Sequence, residues 1–295
     1  MHFPPSELIL NPDGSIYHLN LHEEQVAETI ITVGDPDRVA VVSQMFDEVE
    51  VKVQKREFVT HTGRIGKKRL TVISTGIGTD NIDIVINELD AIKNIDLEKR
   101  ELKNEFQALN FIRLGTSGAL QKDIPVDTTL ISTGAIGIDG LMDFYRYTNN
   151  GFEFEFLSSL KAHLNDNGID INLYYFESNK DLQDQLISID GSVTGNTITC
   201  PGFYGPQGRS LRIKLAYEQL NDTWRTFTFK GKRLDNFEME SSSIFGLSKI
   251  LGHKAIAVNS IIANRETQQF SSNPKETVKK MVSDVLETIV SSEYF

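Results

Sequence analysis

Cysteine is nearly missing from this 295-residue chain, Cys200 being its one thiol, so no disulfide can form within it. A lone cysteine suits a reducing compartment. We therefore expect a cytoplasmic protein in which Cys200 is a small buried side chain rather than a nucleophile. No apolar stretch reaches the roughly 18 residues of a membrane span. The first residues, MHFPPSELIL, lack a basic segment followed by an apolar run, so no secretory leader is expected. Positive charge is not in excess either. With a net charge of −11 and a pI near 5.1, neither a nucleic-acid surface nor an anionic-membrane surface is expected. A local basic pocket for a small anion remains compatible with that balance. No G-x-G-x-x-G follows the first apolar strand and no G-x-x-x-x-G-K-[ST] occurs, which argues against dinucleotide binding and triphosphate hydrolysis. No His, Cys and carboxylate group has metalloenzyme spacing.

What is present is an ordinary globular mixture, 39% hydrophobic and 24% charged, long enough for one large core or two small ones. Strand-like and helix-like segments alternate along the whole chain, with glycine turns at strand ends. That pattern predicts one α/β domain over residues 1–295 with a largely central sheet. Residues 1–20 are punctuated by proline and glycine and read as an extended arm. Residues 29–33 (TIITV) and 70–74 (LTVIS) read as strands, 49–60 as part of a hairpin, and 82–92 as a helix with one apolar face. Residues 94–107, charged and weakly apolar, read as an inserted surface helix or loop. Further strands are expected at 128–133, 171–176, 187–199 and 255–262. Further helices are expected at 154–164, 210–220, 242–251 and 274–289.

The stretch FIRLGTSGAL, residues 111–120, is the centre of the functional reading. Apolar residues run into Arg113, then into Gly115, Thr116, Ser117 and Gly118. Glycines permit tight turns and close approach of a ligand to main-chain N–H groups. The hydroxyls add donors, and an arginine fork suits an oxyanion such as phosphate. An ordinary strand followed by a Gly/Ser turn fits the same residues. A second anion position follows the first strand. There Gly34 leads into Asp35, an N-cap, and Pro36, a first helical residue, so that free N–H groups face a ligand and Arg38 stands in the first turn. A cation there is unfavourable unless an anion is bound, and a plain surface turn is the alternative.

Other candidates are weaker when taken singly. His18 lies on the arm, where a surface histidine is the ordinary case and a contact to a neighbouring subunit the other. Arg56 fits a solvated strand. The Gly/Pro loop carrying Phe203, Gln207 and Arg209 could stack on a planar base and hydrogen-bond its edge, or be plain surface. Glu238 and Glu240 stand two residues apart before a small-residue helix, a poor place for charge. In an extended segment they point to opposite sides. We therefore expect one to bind hydroxyls and the other to anchor structure.

Taken together these motifs resemble the nucleoside phosphorylase family of the hexameric type, over residues 17–289, and most closely its uridine-cleaving branch. The residues that carry the resemblance are Gly34, Asp35, Pro36 and Arg38; Arg56 to Phe58; Ser74 to Gly78; Arg113 to Gly118; and Phe237 to Ser241. The resemblance implies a central mixed, partly barrel-like sheet flanked by helices. It implies reversible phosphorolysis of uridine to uracil and ribose 1-phosphate, a pentosyl transfer in pyrimidine salvage. Inorganic phosphate is the co-substrate and no cofactor is needed.

Phosphate would be held by Gly34, Arg38, Arg113, Gly115 and Thr116, with Arg56 from a neighbour. Ribose would meet Met239 and Glu240, and the neighbour's His18 at the 5′-hydroxyl. Phe203, Gln207, Arg209 and Ile262 would form the base site. Arg113, Arg209 and Glu240 would carry the chemistry. Glu57 and Ile77 match a monovalent-cation site, which implies potassium, although Asn81 stands where the family often has serine. The implied assembly is a homo-hexamer, a trimer of dimers, and at least a homodimer. Partners would be nucleoside and phosphate only. Purine enzymes of this type usually carry a Ser-Asp pair where this chain has Ala263-Asn264, which favours uridine. Purine phosphorolysis, or nucleoside binding without catalysis, are the alternatives.

Overall fold

Every side chain of Thr29–Val33 is buried, and this β-branched run forms β1. The computed structural model describes residues 2–295, so Met1 of the expected arm and domain lies outside the described residues. Helix α1, Pro36–Ser43, starts as its sequence predicts: the Asp35 carboxylate accepts from the Asp37 N–H at 2.9 Å, with Pro36 in the first turn. Strands β2 (Glu48–Lys55) and β3 (Phe58–Ile65) form an antiparallel hairpin. Strand β4 (Lys68–Ser74) pairs antiparallel with β3 and parallel with β1. Helix α2, Thr79–Asn94, buries Ile82, Val85, Ile86, Leu89 and Ile92. Each such side chain contributes roughly 1.5–3 kcal/mol.

The 94–107 stretch is neither a helix nor a plain loop. It holds a small hairpin, β5 (Ile95–Asp96) with β6 (Glu101–Leu102). Then come β7 (Asn110–Ala119), β8 (Thr129–Gly137), α3 (Gly151–Asp166), β9 (Tyr174–Glu177), α4 (Lys180–Leu186) and β10 (Val193–Thr199). They are followed by α5 (Leu220–Thr226), β11 (Thr228–Phe229), β12 (Lys232–Glu238), α6 (Ser241–Leu251), β13 (Lys254–Asn264), β14 (Gln269–Phe270) and α7 (Pro274–Ser291).

The sheet curls on itself. Strand β7 runs parallel to β1 and β13. Strand β13 meets β8, β8 meets β10, and β10 meets β12. Strand β12 returns to the end of β7 through Asn236 opposite Ala119 and Phe237 opposite Gly118. These five strands, parallel and antiparallel mixed, close a ring, while β1, β4, β3 and β2 extend it as an open wing. The barrel-like mixed sheet implied by the resemblance is therefore present. The ends of β1, β7, β12 and β13 converge on one side, which is where ligands bind in open α/β sheets.

Three local expectations were displaced. Residues 210–220 are irregular, and a helix begins only at Leu220. Leu211 and Ile213 are 80% and 82% exposed, so no apolar face is packed to hold a helix there. The strand expected at 187–199 starts at Val193, after a turn in which Gly191 takes a φ of +70°. The one expected at 171–176 runs Tyr174–Glu177, set by pairing with β8. Among the described residues, no helix is long and apolar enough to cross a membrane.

Candidate active site

Arg113 comes from the middle of β7, and its guanidinium is nearly fully buried. A charge taken out of water needs partners. Nη1 donates to Asn259 Oδ1 at 3.1 Å, and Nη2 faces Glu238 Oε2 at 3.1 Å and pairs directly with Glu240. Gly115 makes room for this arrangement. A Cβ there would lie 1.5 Å from Arg113 Nη1 and 2.7 Å from Asn259 Oδ1. Gly115 itself does not line the cleft. Its place in the fold is beside the arginine.

The two carboxylates of the 238–240 segment do not point apart. Strand β12 ends at Glu238, and Glu240 leaves extended geometry at φ −142° and ψ −26°, so both acids turn onto Arg113. They divide the work. Glu238, 1% exposed in its side chain, accepts the N–H groups of Glu240 and Ser241 at 2.9–3.0 Å and the Thr199 hydroxyl at 2.6 Å. It anchors the start of α6. Glu240 lines the cleft and accepts the Gly78 N–H at 2.8 Å.

Burial depresses the basicity of Arg113, but the charges of Glu238 and Glu240 outweigh it and hold the guanidinium above its ordinary value. Glu240 is pushed up by burial, drawn down by Arg113 and pushed up again by Glu238, with a net rise. Burial first, and then the second carboxylate, outweigh the pull of Arg113 on Glu240.

The cleft around these groups is about 690 Å³, within the usual size of a small-molecule site. Gly34, Asp35, Pro36 and Arg38 line it with Arg113, Thr116 and Ser117. Arg38 Nη1 donates to the Leu114 carbonyl at 3.1 Å. Burial, and then the nearby charge of Arg113, lower its basicity. Two guanidinium groups thus face one small volume, with Glu240 beside them.

Phe203, Gln207, Arg209, Ile262 and Phe270 also line it, together with Met239 and Glu240. Gln207 is buried. Arg209 lies 3.8 Å over the Phe203 ring and donates to the Phe203 carbonyl at 2.6 Å and the Gln207 side-chain oxygen at 2.5 Å. Burial, and then the charge of Arg265, lower Arg209 to about 10, so it keeps its charge through the neutral range. Arg265 braces this loop from behind through the carbonyls of Gln207 and Gly208, at 3.2 and 3.3 Å.

Sequence reasoning passed over Asn259 and Arg265. Asn259 did leave a signal, as a polar residue inside the apolar run of β13, and its carboxamide clamps Arg113 and Ser132 Oγ.

Arg56 and His18 do not line this cleft. Arg56 sits at the β2–β3 turn with φ +54°, and His18 is on the arm. Glu57 and Ile77 stand at the cleft mouth, where Ile77 is 72% exposed. Among the described residues there is no group of three His, Cys, Asp or Glu side chains placed to hold a metal ion.

Comparison with known proteins sets this geometry among relatives. A family model described as the phosphorylase superfamily matches residues 28–291. The chain is 27% identical over 293 residues to a protein named uridine phosphorylase from Thermococcus kodakarensis, covering 97% of this chain and 91% of that one. It is 26% identical to the protein of the same name from Escherichia coli, covering 95% and 97%. It is also 26% identical to a DeoD-type purine nucleoside phosphorylase from Oceanobacillus iheyensis, covering 92% and 98%. A solved Trypanosoma brucei nucleoside phosphorylase, described as showing uridine phosphorylase activity, matches with a TM-score of 0.87 and 28% identity, over 97% of this chain and all of that one. With a family model that spans most of the sequence and a solved fold that follows almost all of it, this chain belongs to the phosphorylase superfamily.

Proposed function

We propose that the protein is a uridine phosphorylase, converting uridine and phosphate to uracil and ribose 1-phosphate, and back. The observation that carries this is the set of groups gathered in one cleft: Arg38 and Arg113, Glu240, and Gln207 with Arg209. Phosphate would lie with Gly34, Arg38, Arg113 and Thr116. Ribose would lie on Met239, with its 2′ and 3′ hydroxyls on Glu240. The pyrimidine would stack near Phe203 and Ile262, its carbonyl and N–H edge read by Gln207 and Arg209. A phosphate oxygen attacks C1′ as the C1′–N1 bond breaks, and the bond's electrons pass to the departing uracil. The charge that develops on its ring faces Arg209. Holding the phosphate dianion beside an electron-poor sugar supplies the rest of the rate. The names of relatives that match nearly the whole chain support the same reading.

The purine reading lacks its acid. By the resemblance Asn264 would take the place of a catalytic aspartate, and its amide donates to the carbonyls of Gln121 and Ile124 at 2.9 and 2.8 Å rather than lining the cleft. Incubation with uridine or inosine, with and without phosphate, tests the proposal; phosphate-dependent release of uracil, and little hypoxanthine, is expected.

The reading includes a homo-oligomer, at least a dimer and by resemblance a hexamer. Arg56 would complete a neighbour's phosphate site and His18 its ribose site. Exposed apolar side chains at the cleft mouth, Ile77, Phe203 and Phe270, suit cover by a second copy. A potassium ion would take the Glu57 carboxylate and the Ile77 carbonyl. One protomer's share of such a shell is small, so the partner's copy would have to supply the remainder. A cytoplasmic setting belongs to the same reading.

A further inference from the structure

We propose that Glu88 is a positioning residue for His18: it fixes the imidazole tautomer and the angle at which one protomer presents that ring to the ribose 5′-hydroxyl in its neighbour's cleft. The inference rests on the uridine phosphorylase reading above. Glu88 lies on α2, 70 residues from His18 in sequence, and its carboxylate is largely shielded from water. It accepts three N–H groups from one short piece of the arm. The His18 main-chain N–H lies 3.0 and 3.1 Å from its two oxygens, the Leu19 N–H 2.9 Å away, and His18 Nδ1 2.6 Å away.

An ionised carboxylate is an acceptor only, so Nδ1 must carry the hydrogen. Nε2 is then the free position, as an acceptor on the neutral ring or a donor on the protonated one. Either form meets a hydroxyl. The grip on two successive main-chain N–H groups as well as the ring fixes direction, and a carboxylate serving only to neutralise charge would not need it.

The arm is tied at a second point. Lys55 Nζ donates to Asn11 Oδ1 at 2.8 Å and to the Tyr17 carbonyl, and stands 4.7 Å from the Tyr17 ring centroid. Lys55 directly precedes Arg56. The arm that carries His18 and the turn that carries Arg56 are thereby joined, so both groups would reach the neighbour as one rigid piece.

The test uses the full-length enzyme, the isosteric Glu88→Gln variant, and two substrates, uridine and 5′-deoxyuridine. Glu88→Gln should lower kcat/KM for uridine about tenfold and leave 5′-deoxyuridine nearly unchanged. His18→Ala should do the same, and the double variant should lose little more than either single one. Nitrogen-15 spectra of the histidine rings should show His18 in the Nδ1–H form in the wild type and a mixture in Glu88→Gln. Equal loss on both substrates would make Glu88 merely structural and overturn the proposal, as would an Nε2–H ring in the wild type. Uracil release that is indifferent to His18→Ala would overturn it while leaving the activity intact. A protein inert toward uridine with the Nδ1–H form in place would strike the activity reading itself, and this role with it.

Discussion

The guanidinium of Arg113 occupies the space where Gly115 has no side chain: a Cβ at Gly115 would fall 1.5 Å from Nη1. A glycine two residues past the arginine on the same strand is what lets the cation fold back between Asn259 and the two glutamates. Gly115→Ala should therefore act through Arg113. We expect kcat/KM for uridine to fall about 100-fold and stability to drop by about 1–3 kcal/mol from overpacking. Steady-state kinetics and urea unfolding check both. Near-normal values would mean that Arg113 has another equally good position.

Glu238 is expected to matter more for stability than its distance from solvent chemistry suggests. It holds two main-chain N–H groups at the start of α6, the Thr199 hydroxyl and one side of Arg113. Glu238→Ala removes one partner of a buried charge pair, a change that costs about 3–5 kcal/mol. Urea titration reads it directly. A loss below about 1 kcal/mol would show the pair to be effectively solvated.

Asn264 offers a test of the pyrimidine assignment. Asn264→Asp introduces an acid where the resemblance to purine enzymes would put one, but here it would set a carboxylate against the Gln121 and Ile124 carbonyls. We expect destabilisation by about 1–3 kcal/mol and no gain of inosine cleavage. A rise in hypoxanthine release would show that this side chain can turn into the cleft.

The pH dependence of stability should show Glu153. Its carboxylate is fully buried and lies 2.7 Å from Lys249 Nζ. Burial pushes it up, but Lys249 and the N–H groups of Glu177 and Asn150 outweigh burial and hold it below the ordinary glutamate value. A carboxylate depressed in the folded state contributes stability above its unfolded value, and that stability is lost as pH falls through the folded one. The wild type should therefore lose stability below pH 4.5, and Glu153→Gln should lose less over that window. Parallel slopes in urea titrations across pH would contradict this.

Much of this was legible in the sequence, and the reasons are local. Asp35 and Pro36 mark a helix start because a cap and a fixed φ need no distant partner. The apolar spacing of 82–92 identifies α2 because one buried face decides it. That Gly34, Arg38, Arg113 and Thr116 share the cleft's lining is legible because glycine, arginine and hydroxyl residues follow or interrupt the apolar runs of β1 and β7. What stayed hidden depends on distant partners. Asn259 lies 146 residues from Arg113, and Glu88 lies 70 from His18. The convergence of Glu238 and Glu240 follows from one non-extended residue that alternation cannot anticipate. Residues 210–220 carried helical spacing but no surface to pack on.

The central claim is that the cleft transfers a pentosyl group from uracil to phosphate, and one measurement bears on it most directly. Uracil and ribose 1-phosphate should be quantified from purified enzyme and uridine, with and without phosphate, for the wild type and Arg113→Ala. The account predicts equal amounts of both products from the wild type only when phosphate is present, and none above background from Arg113→Ala. Uracil released without phosphate, or released at a normal rate by Arg113→Ala, would contradict it.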